Sequence, residues 1–279
     1  MSTSFDRLKN KTVIITGGAQ GFGEGIAREL FSQGANIALA DVKEEEGRSL
    51  AGLLNDSNRD NRAIFLACNV IDFDSVSKMI SSVVDEFGGI DILVSNAGIL
   101  HAGGLDEMDA ETFELVTKVN YQGYFNCVKA VVPYMKKQHA DDPGRFMDII
   151  QINSKSGLKG SLKNFAYAGS KFGSIGLTQS FALELIPYNI KVNSICPGNF
   201  FEGPLWSDPE KGLFRQYLNS GKVPEAKTIE DIKAHYEKQV PAGRGCRVSD
   251  VVKAIYYIID QEYETGQAIP VTGGQVMLK

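Results

Sequence analysis

The chain is poor in the residues on which several common chemistries depend. Its three histidines, His101, His139 and His235, stand far apart. No H-E-x-x-H or other close pair exists to seat a metal, so no metal site is expected. The four cysteines, Cys68, Cys127, Cys196 and Cys246, are never closer than 50 residues. That spacing excludes a C-x-x-C redox or zinc pair and leaves buried free thiols as the expectation. Positive charge is in deficit, with 29 Lys+Arg against 34 Asp+Glu and a net charge of −5. Nucleic acid and an anionic membrane surface are therefore disfavoured partners, although one basic pocket for a small anion stays open. No apolar run approaches a membrane span, and the polar Met1–Asn10 has no apolar leader core, so a reducing cytoplasm is the expected address. Repeats and low-complexity tracts are absent too.

What remains is a regular alternation. Apolar runs of strand length at Thr12–Thr16, Asn36–Ala40, Ala63–Ala67, Asp91–Ser95, Phe146–Ile152, Ile190–Cys196 and Ala268–Val271 alternate with longer amphipathic stretches. Helical patterns include Phe22–Gln33, Ser75–Phe87, Thr112–Lys136 and Phe165–Leu185. Two-sidedly apolar strands alternating with helices predict an α/β fold with a doubly wound parallel sheet, a single Rossmann-type domain over 1–279. One segment breaks the rhythm. From Asn199 to Arg247 the chain carries prolines, glycines and short polar helical patterns. A connection that long is expected to be a substrate-binding loop or lid inserted in the domain (residues 199–247).

The first strand runs into Thr16-Gly17-Gly18-Ala19-Gln20-Gly21-Phe22-Gly23 and then a helix. Glycines there permit a tight turn and close approach of backbone to a pyrophosphate, while the helix start supplies unpaired N–H groups. Asp41 closes the second strand about 20 residues on. A carboxylate at that place accepts from ribose hydroxyls and repels a 2′-phosphate, which favours NAD(H) over NADP(H).

Tyr167 and Lys171 are four apart in a helical stretch and share a face. A nearby ammonium favours the phenolate, so the pair can take a proton from an alcohol and return it to a ketone. Tyr-x-x-x-Lys alone is common. Here, however, Ser154 stands just past the end of an apolar strand, Asn96-Ala97-Gly98 follows another, and Asn120 lies inside the next helix. Strand ends meet at the carboxyl edge of a parallel sheet, where ligands bind.

Taken together, these motifs resemble the short-chain dehydrogenase/reductase family, in its order and spacing, from Thr12 to Thr272-Gly273-Gly274. The resemblance implies that Tyr167 is the acid/base and that Lys171 lowers its pKa and holds the nicotinamide ribose. It also implies that Ser154 hydrogen-bonds the reacting oxygen and Asn120 holds a relay water. It places Gly17, Gln20, Gly21, Phe22, Gly23, Asp41, Asn69, Val70, Asn96, Ala97 and Gly98 along the cofactor groove. Pro197, Gly198 and Phe200 then flank the nicotinamide. Asn69 and Thr272 stand where many members have aspartate. Pairing of the long amphipathic helices across subunits implies a homotetramer.

Within the family, Gln151–Gly157, Lys171-Phe172-Gly173, Gly176–Ser180, Val240-Pro241, Arg244-Gly245-Cys246 and Val271–Met277 resemble the sorbitol-6-phosphate 2-dehydrogenase group. That likeness implies oxidation of a phosphorylated polyol, D-sorbitol 6-phosphate, to D-fructose 6-phosphate. Lys155, directly after Ser154, is a candidate phosphate ligand, with Lys159 and Lys163 on the same loop. Asn153, Asn199 and Glu202 could serve hydroxyls. Glu202 would also repel a nearby phosphate, so an unphosphorylated polyol or sugar stays open. A catalytically silent NAD-sensing regulator is the alternative from another class.

Overall fold

The structure, a computed structural model, describes residues 7–57, 60–219 and 221–277. The first six residues of the polar N-terminal segment thus lie outside the described ones. In chain order the elements begin β1 (Thr12–Thr16), α1 (Gly21–Ser32), β2 (Asn36–Asp41), α2 (Glu44–Asn55), β3 (Ala63–Ala67), α3 (Phe73–Phe87) and β4 (Ile92–Ser95). They continue with α4 (Ala110–Thr117), α5 (Gly123–Asp141), β5 (Met147–Ile152), α6 (Phe165–Leu185) and β6 (Ile190–Pro197). Then come α7 (Pro204–Ser207), α8 (Leu213–Asn219), α9 (Ile229–Lys238), α10 (Val248–Asp260) and β7 (Ala268–Val271).

Among the described residues the strands form one parallel, 7-stranded sheet in the order β3-β2-β1-β4-β5-β6-β7. Each strand bound falls within one residue of expectation. The pleat explains the two cores: Val13, Ile15, Ile37, Leu39, Ile92 and Val94 face α1, α2 and α10, whereas Ile14, Ala38, Leu93 and Ile149 face α3, α5 and α6. With helices on both faces, the strands need no polar side, which is why their sequences alternate so little.

One helix differs from expectation. Thr112–Lys136 is not continuous: a π-helical turn at Lys118–Gln122 separates α4 from α5. Such a turn inserts one residue and shifts the facing of everything after it, which hydrophobic periodicity averages away. It carries Asn120.

The amino edge of the sheet is an ionic staple. Asp91 accepts from the backbone N–H of Thr12 at 2.9 Å and pairs with Lys11 at 3.0 Å and Arg145 at 2.7 Å. The carboxyl edge, by contrast, gathers the glycine turn after β1, Asn96 after β4 and Ser154 after β5. Between β6 and α10 the segment Asn199–Arg247 builds its own apolar centre, with Phe201, Trp206, Leu213, Phe214, Tyr217 and Ile232 buried together. Leu100 and Ala102, from the loop after β4, pack against it. Among the described residues no helix is long and apolar enough to cross a membrane.

Candidate active site

At the first turn, backbone crowding dictates glycine. A Cβ on Gly23 would lie 2.1 Å from the carbonyl oxygen of Gly17, and one on Gly17 would lie 2.8 Å from Ala97 Cα. Gly17 has φ 62° besides, where side chains are strained. The turn is stitched to its neighbour by Asn96, whose Nδ2 donates to the carbonyls of Thr16 (3.0 Å) and Gly17 (2.9 Å). Thr16 Oγ1 in turn accepts from the N–H groups of Asn96 and Ala97, at 3.0 and 3.1 Å. The contribution of Thr16 went unread in the sequence, because a strand-end threonine carries no pattern of its own. Asn96 accordingly shapes the groove through backbone contacts.

Asp41 is buried at the end of β2. Its carboxylate accepts from the N–H of Ala19 (3.0 Å) and of Lys43 (3.0 Å), fixing it beside the turn. The Lys43 ammonium is engaged by Gln20 Oε1 at 2.7 Å and by Glu46 at 3.5 Å. Asn69 is exposed, its Oδ1 accepting from Ile71 N–H at 3.3 Å. Val70 is buried, and its carbonyl accepts from Asn126 at 2.9 Å. At the end of β6, Gly198 N–H donates to Val271 O at 2.9 Å, which fixes the exit after Pro197.

The catalytic candidates converge from three elements. Ser154 follows β5, Tyr167 and Lys171 lie on α6, and Asn120 sits in the π-helical turn. A Cβ on Gly98 would stand 3.2 Å from Asn120 Oδ1 and 3.6 Å from Lys171 Nζ, so both groups meet at this glycine. The Asn120 side chain is fully engaged: Oδ1 accepts from Ile99 N–H (2.8 Å), and Nδ2 donates to Ile99 O (2.9 Å) and Ser170 Oγ (3.1 Å). Lys171 Nζ donates to Ile152 O at 3.0 Å and lies 5.6 Å from the centroid of the Tyr167 ring.

Burial and Ser154 join Lys171, the expected influence, in setting the electrostatics of Tyr167. Burial is the largest influence on the phenol and pushes its pKa up, while a hydrogen bond from Ser154 pulls it down. Burial also pushes Lys171 down to about 8. Of the other readings, Asn153 is corrected. It does not face a substrate: its Nδ2 donates to Gln151 Oε1 (2.9 Å) and Lys171 O (3.0 Å), and its Oδ1 accepts from Ser154 N–H (2.8 Å). It therefore positions both Ser154 and Lys171.

The three loop lysines separate. Lys163 is paired with Glu107 at 2.5 Å and is not free to hold an anion. Lys159 is exposed. Lys155 is largely buried with only Lys159 acting on it electrostatically, and burial lowers it to about 8. Glu202 is exposed, and Asn199 offers its carbonyl to Cys246 N–H at 2.7 Å. All four cysteines are buried free thiols.

The fit to a dinucleotide rests on the crowding at Gly17 and Gly23 and on Asp41, arranged at the carboxyl edge where the strand order reverses beside β1. Comparison with known proteins gives the same direction. The sequence profile described as short chain dehydrogenase matches residues 11–206. The chain belongs to this family.

The chain is 33% identical to sorbitol-6-phosphate 2-dehydrogenase of Escherichia coli (strain K12), covering 96% of this chain and 99% of that one. It is 32% identical to trans-4-hydroxycyclohexanecarboxylate dehydrogenase of Sinomonas cyclohexanicum, covering 99% and 96%. The crystal structure of sorbitol-6-phosphate 2-dehydrogenase from Erwinia amylovora superposes with a TM-score of 0.86 at 36% identity, over 96% of this chain and 100% of that one. Membership makes the protein an oxidoreductase of a family that typically uses a nicotinamide cofactor.

Proposed function

We propose that the protein is an NAD-dependent dehydrogenase that interconverts D-sorbitol 6-phosphate and D-fructose 6-phosphate in a reducing cytoplasm. The observation that carries the chemistry is the meeting of Ser154, Tyr167 and Lys171 at the carboxyl edge, with Asn120 and Lys171 both against Gly98. Bound in the groove, the nicotinamide supplies the hydride acceptor for the carbinol carbon. Tyr167 Oη takes the hydroxyl proton as the ketone forms and gives it back in reduction. Ser154 Oγ hydrogen-bonds the same oxygen and, through its bond to the phenol, orients Tyr167. Lys171, held by Ile152 O and Asn153, offers positive charge to the phenolate and donors to the ribose. With the Asn120 side chain engaged by Ile99 and Ser170, a relay water toward Lys171 would be held at the Asn120 backbone carbonyl.

NAD is preferred because Asp41 presents a fixed carboxylate, whereas the cation of nearby Lys43 is engaged by Gln20 and Glu46. Gln20, Gly21, Phe22, Asn69, Val70, Ala97, Pro197, Gly198 and Phe200 line the rest of that groove. For the substrate, Lys155 is the phosphate ligand, since it adjoins Ser154 and no carboxylate acts on it. Asn199 and Glu202 belong to the segment that closes over the substrate as a lid. A plain polyol is the second reading, favoured by the charge of Glu202 on that same segment.

The exposed Phe113, Tyr121, Phe125, Phe172 and Leu183, on α4 to α6, form the contact surface of a homotetramer. The deciding assay follows reduced-nicotinamide absorbance with NAD and NADP, on sorbitol 6-phosphate, sorbitol, mannitol 1-phosphate and ribitol. The reading requires NAD and the phosphorylated hexitol to give the highest kcat/KM. Equal efficiency on plain sorbitol removes the role of Lys155.

A further inference from the structure

The segment between β6 and α10 meets the glycine turn through one aromatic pair. Phe22 follows β1 and Phe200 follows β6, and in the sheet those strands are separated by β4 and β5. No strand pairing can bring them together. Yet their rings stack, with centroids 4.4 Å apart and planes 18° apart. The stack therefore arches across the ends of β4 and β5, over the crevice in which ligands lie in sheets of this kind.

The surroundings hold Phe200 in place. Gly203 N–H donates to Phe200 O at 3.1 Å, and a Cβ on Gly203 would stand only 2.4 Å from the Phe200 ring. Pro204, next in the chain, comes within 3.6 Å of where a Cβ on Gly21 would be. Phe201 turns the other way, into the segment's own core, against Trp206 at 5.1 Å and Phe214 at 5.7 Å. Two adjacent residues thus link the nucleotide turn to the aromatic centre of the lid.

We propose that the Phe22–Phe200 stack is a clasp over the dinucleotide groove. It opens each time the cofactor enters or leaves, and Phe200 is a positioning residue that ties cofactor exchange to the lid. The proposal rests on the dinucleotide reading above. Asp41 ends β2, on the far side of β1 from the arch, so an adenosine fragment reaches it without passing beneath the stack. A whole dinucleotide must pass. Opening displaces Phe201 as well, and with it the packing of Trp206.

Trp206, the single tryptophan of the chain, reports this motion. Stopped-flow of NADH binding and release on the full-length protein follows both nicotinamide and Trp206 fluorescence. The variants are Phe22→Ala, Phe200→Ala, the double alanine, Phe200→Leu and Phe200→Tyr, with AMP affinity measured alongside. Each alanine change should speed NADH release about tenfold, the scale of one aromatic pair. The double variant should match either single, because one contact is lost in all three. Phe200→Tyr should restore slow release and Phe200→Leu, folded but without a flat ring, should not. AMP affinity should stay constant, and the Trp206 response to NADH should vanish in the alanine variants. Unchanged release in Phe200→Leu, or additive effects in the double variant, overturns the clasp. Loss of NADH, NADPH and AMP binding in the unmodified protein overturns the dinucleotide reading instead.

Discussion

The catalytic body and the segment between β6 and α10 hold their functional residues by different forces. In the body, polar side chains are tied to backbone distant in sequence: Asn96 to Thr16 and Gly17, Asn153 to Lys171, Asp41 to Ala19. Hydrogen bonds are directional, so these ties fix atoms to positions, as proton and hydride transfer demand. The segment instead buries Phe201, Trp206, Phe214 and Tyr217 against each other, and apolar burial specifies no direction. Its polar ties to the body include Ala242 N–H to Gly273 O at 3.0 Å and the Arg244 guanidinium to Asp250 of α10 at 2.6 Å. In the proposed reading, chemistry sits on the directionally tied body and substrate choice on the segment held by apolar burial.

The largest effect should come from the body. Tyr167→Phe removes the phenol that Ser154 hydrogen-bonds and should cut turnover by about two to four orders of magnitude, with NAD affinity nearly unchanged. Near-normal turnover in steady-state kinetics would show that the directional ties hold something other than the base.

Next in size is a test of the segment's independence. Trp206 is buried against Phe201, Phe214, Tyr217 and Tyr236. Trp206→Ala should cost about 3–5 kcal/mol, the range for such truncations. Hydrogen exchange should show the loss confined to residues 199–247 while β1 to β6 keep their protection. A uniform loss of protection would erase the distinction between the two regions.

How much of this could be read in advance divides along the same line. Strand positions came through because two-sided burial leaves long apolar runs; the proposed catalytic residues could be singled out because they stand at strand ends and one helical turn apart. The π-helical turn at Asn120 escaped because it alters facing without altering composition. Asn153 was misassigned for a related reason. An asparagine next to the catalytic serine reads as a substrate ligand, and only its three buried bonds reveal a support. The Phe22–Phe200 contact joins residues 178 positions apart through no periodic pattern, so nothing local announced it. Lys163 looked free until Glu107, from another loop, was brought to it.

Asp41→Asn tests the cofactor side of the body. Asparagine keeps an acceptor for Ala19 N–H but loses the charge, so NAD should bind about ten- to a hundredfold more weakly, the range for a hydrogen bond to an ionised group. The penalty against NADP should shrink at the same time, because its phosphate no longer meets a carboxylate. Titration of both cofactors by fluorescence checks this. An unchanged NAD-to-NADP ratio would mean that Lys43, rather than Asp41, sets the preference.

The smallest effect belongs to Lys155, on the turn that follows β5. Burial lowers its pKa from the ordinary 10.5 to about 8, so its ammonium is present below that pH and is lost as pH rises through it. A phosphate monoester is already dianionic there, its second pKa being about 6. Attraction should therefore fade on the alkaline side through the lysine alone. KM for sorbitol 6-phosphate should rise about tenfold as pH passes 8, while KM for sorbitol stays level. In Lys155→Met the phosphorylated substrate should begin at the higher KM and show no such rise. Parallel pH profiles for the two substrates, in both proteins, would take the phosphate off Lys155 and leave the charge-free fit of a plain polyol as the better reading.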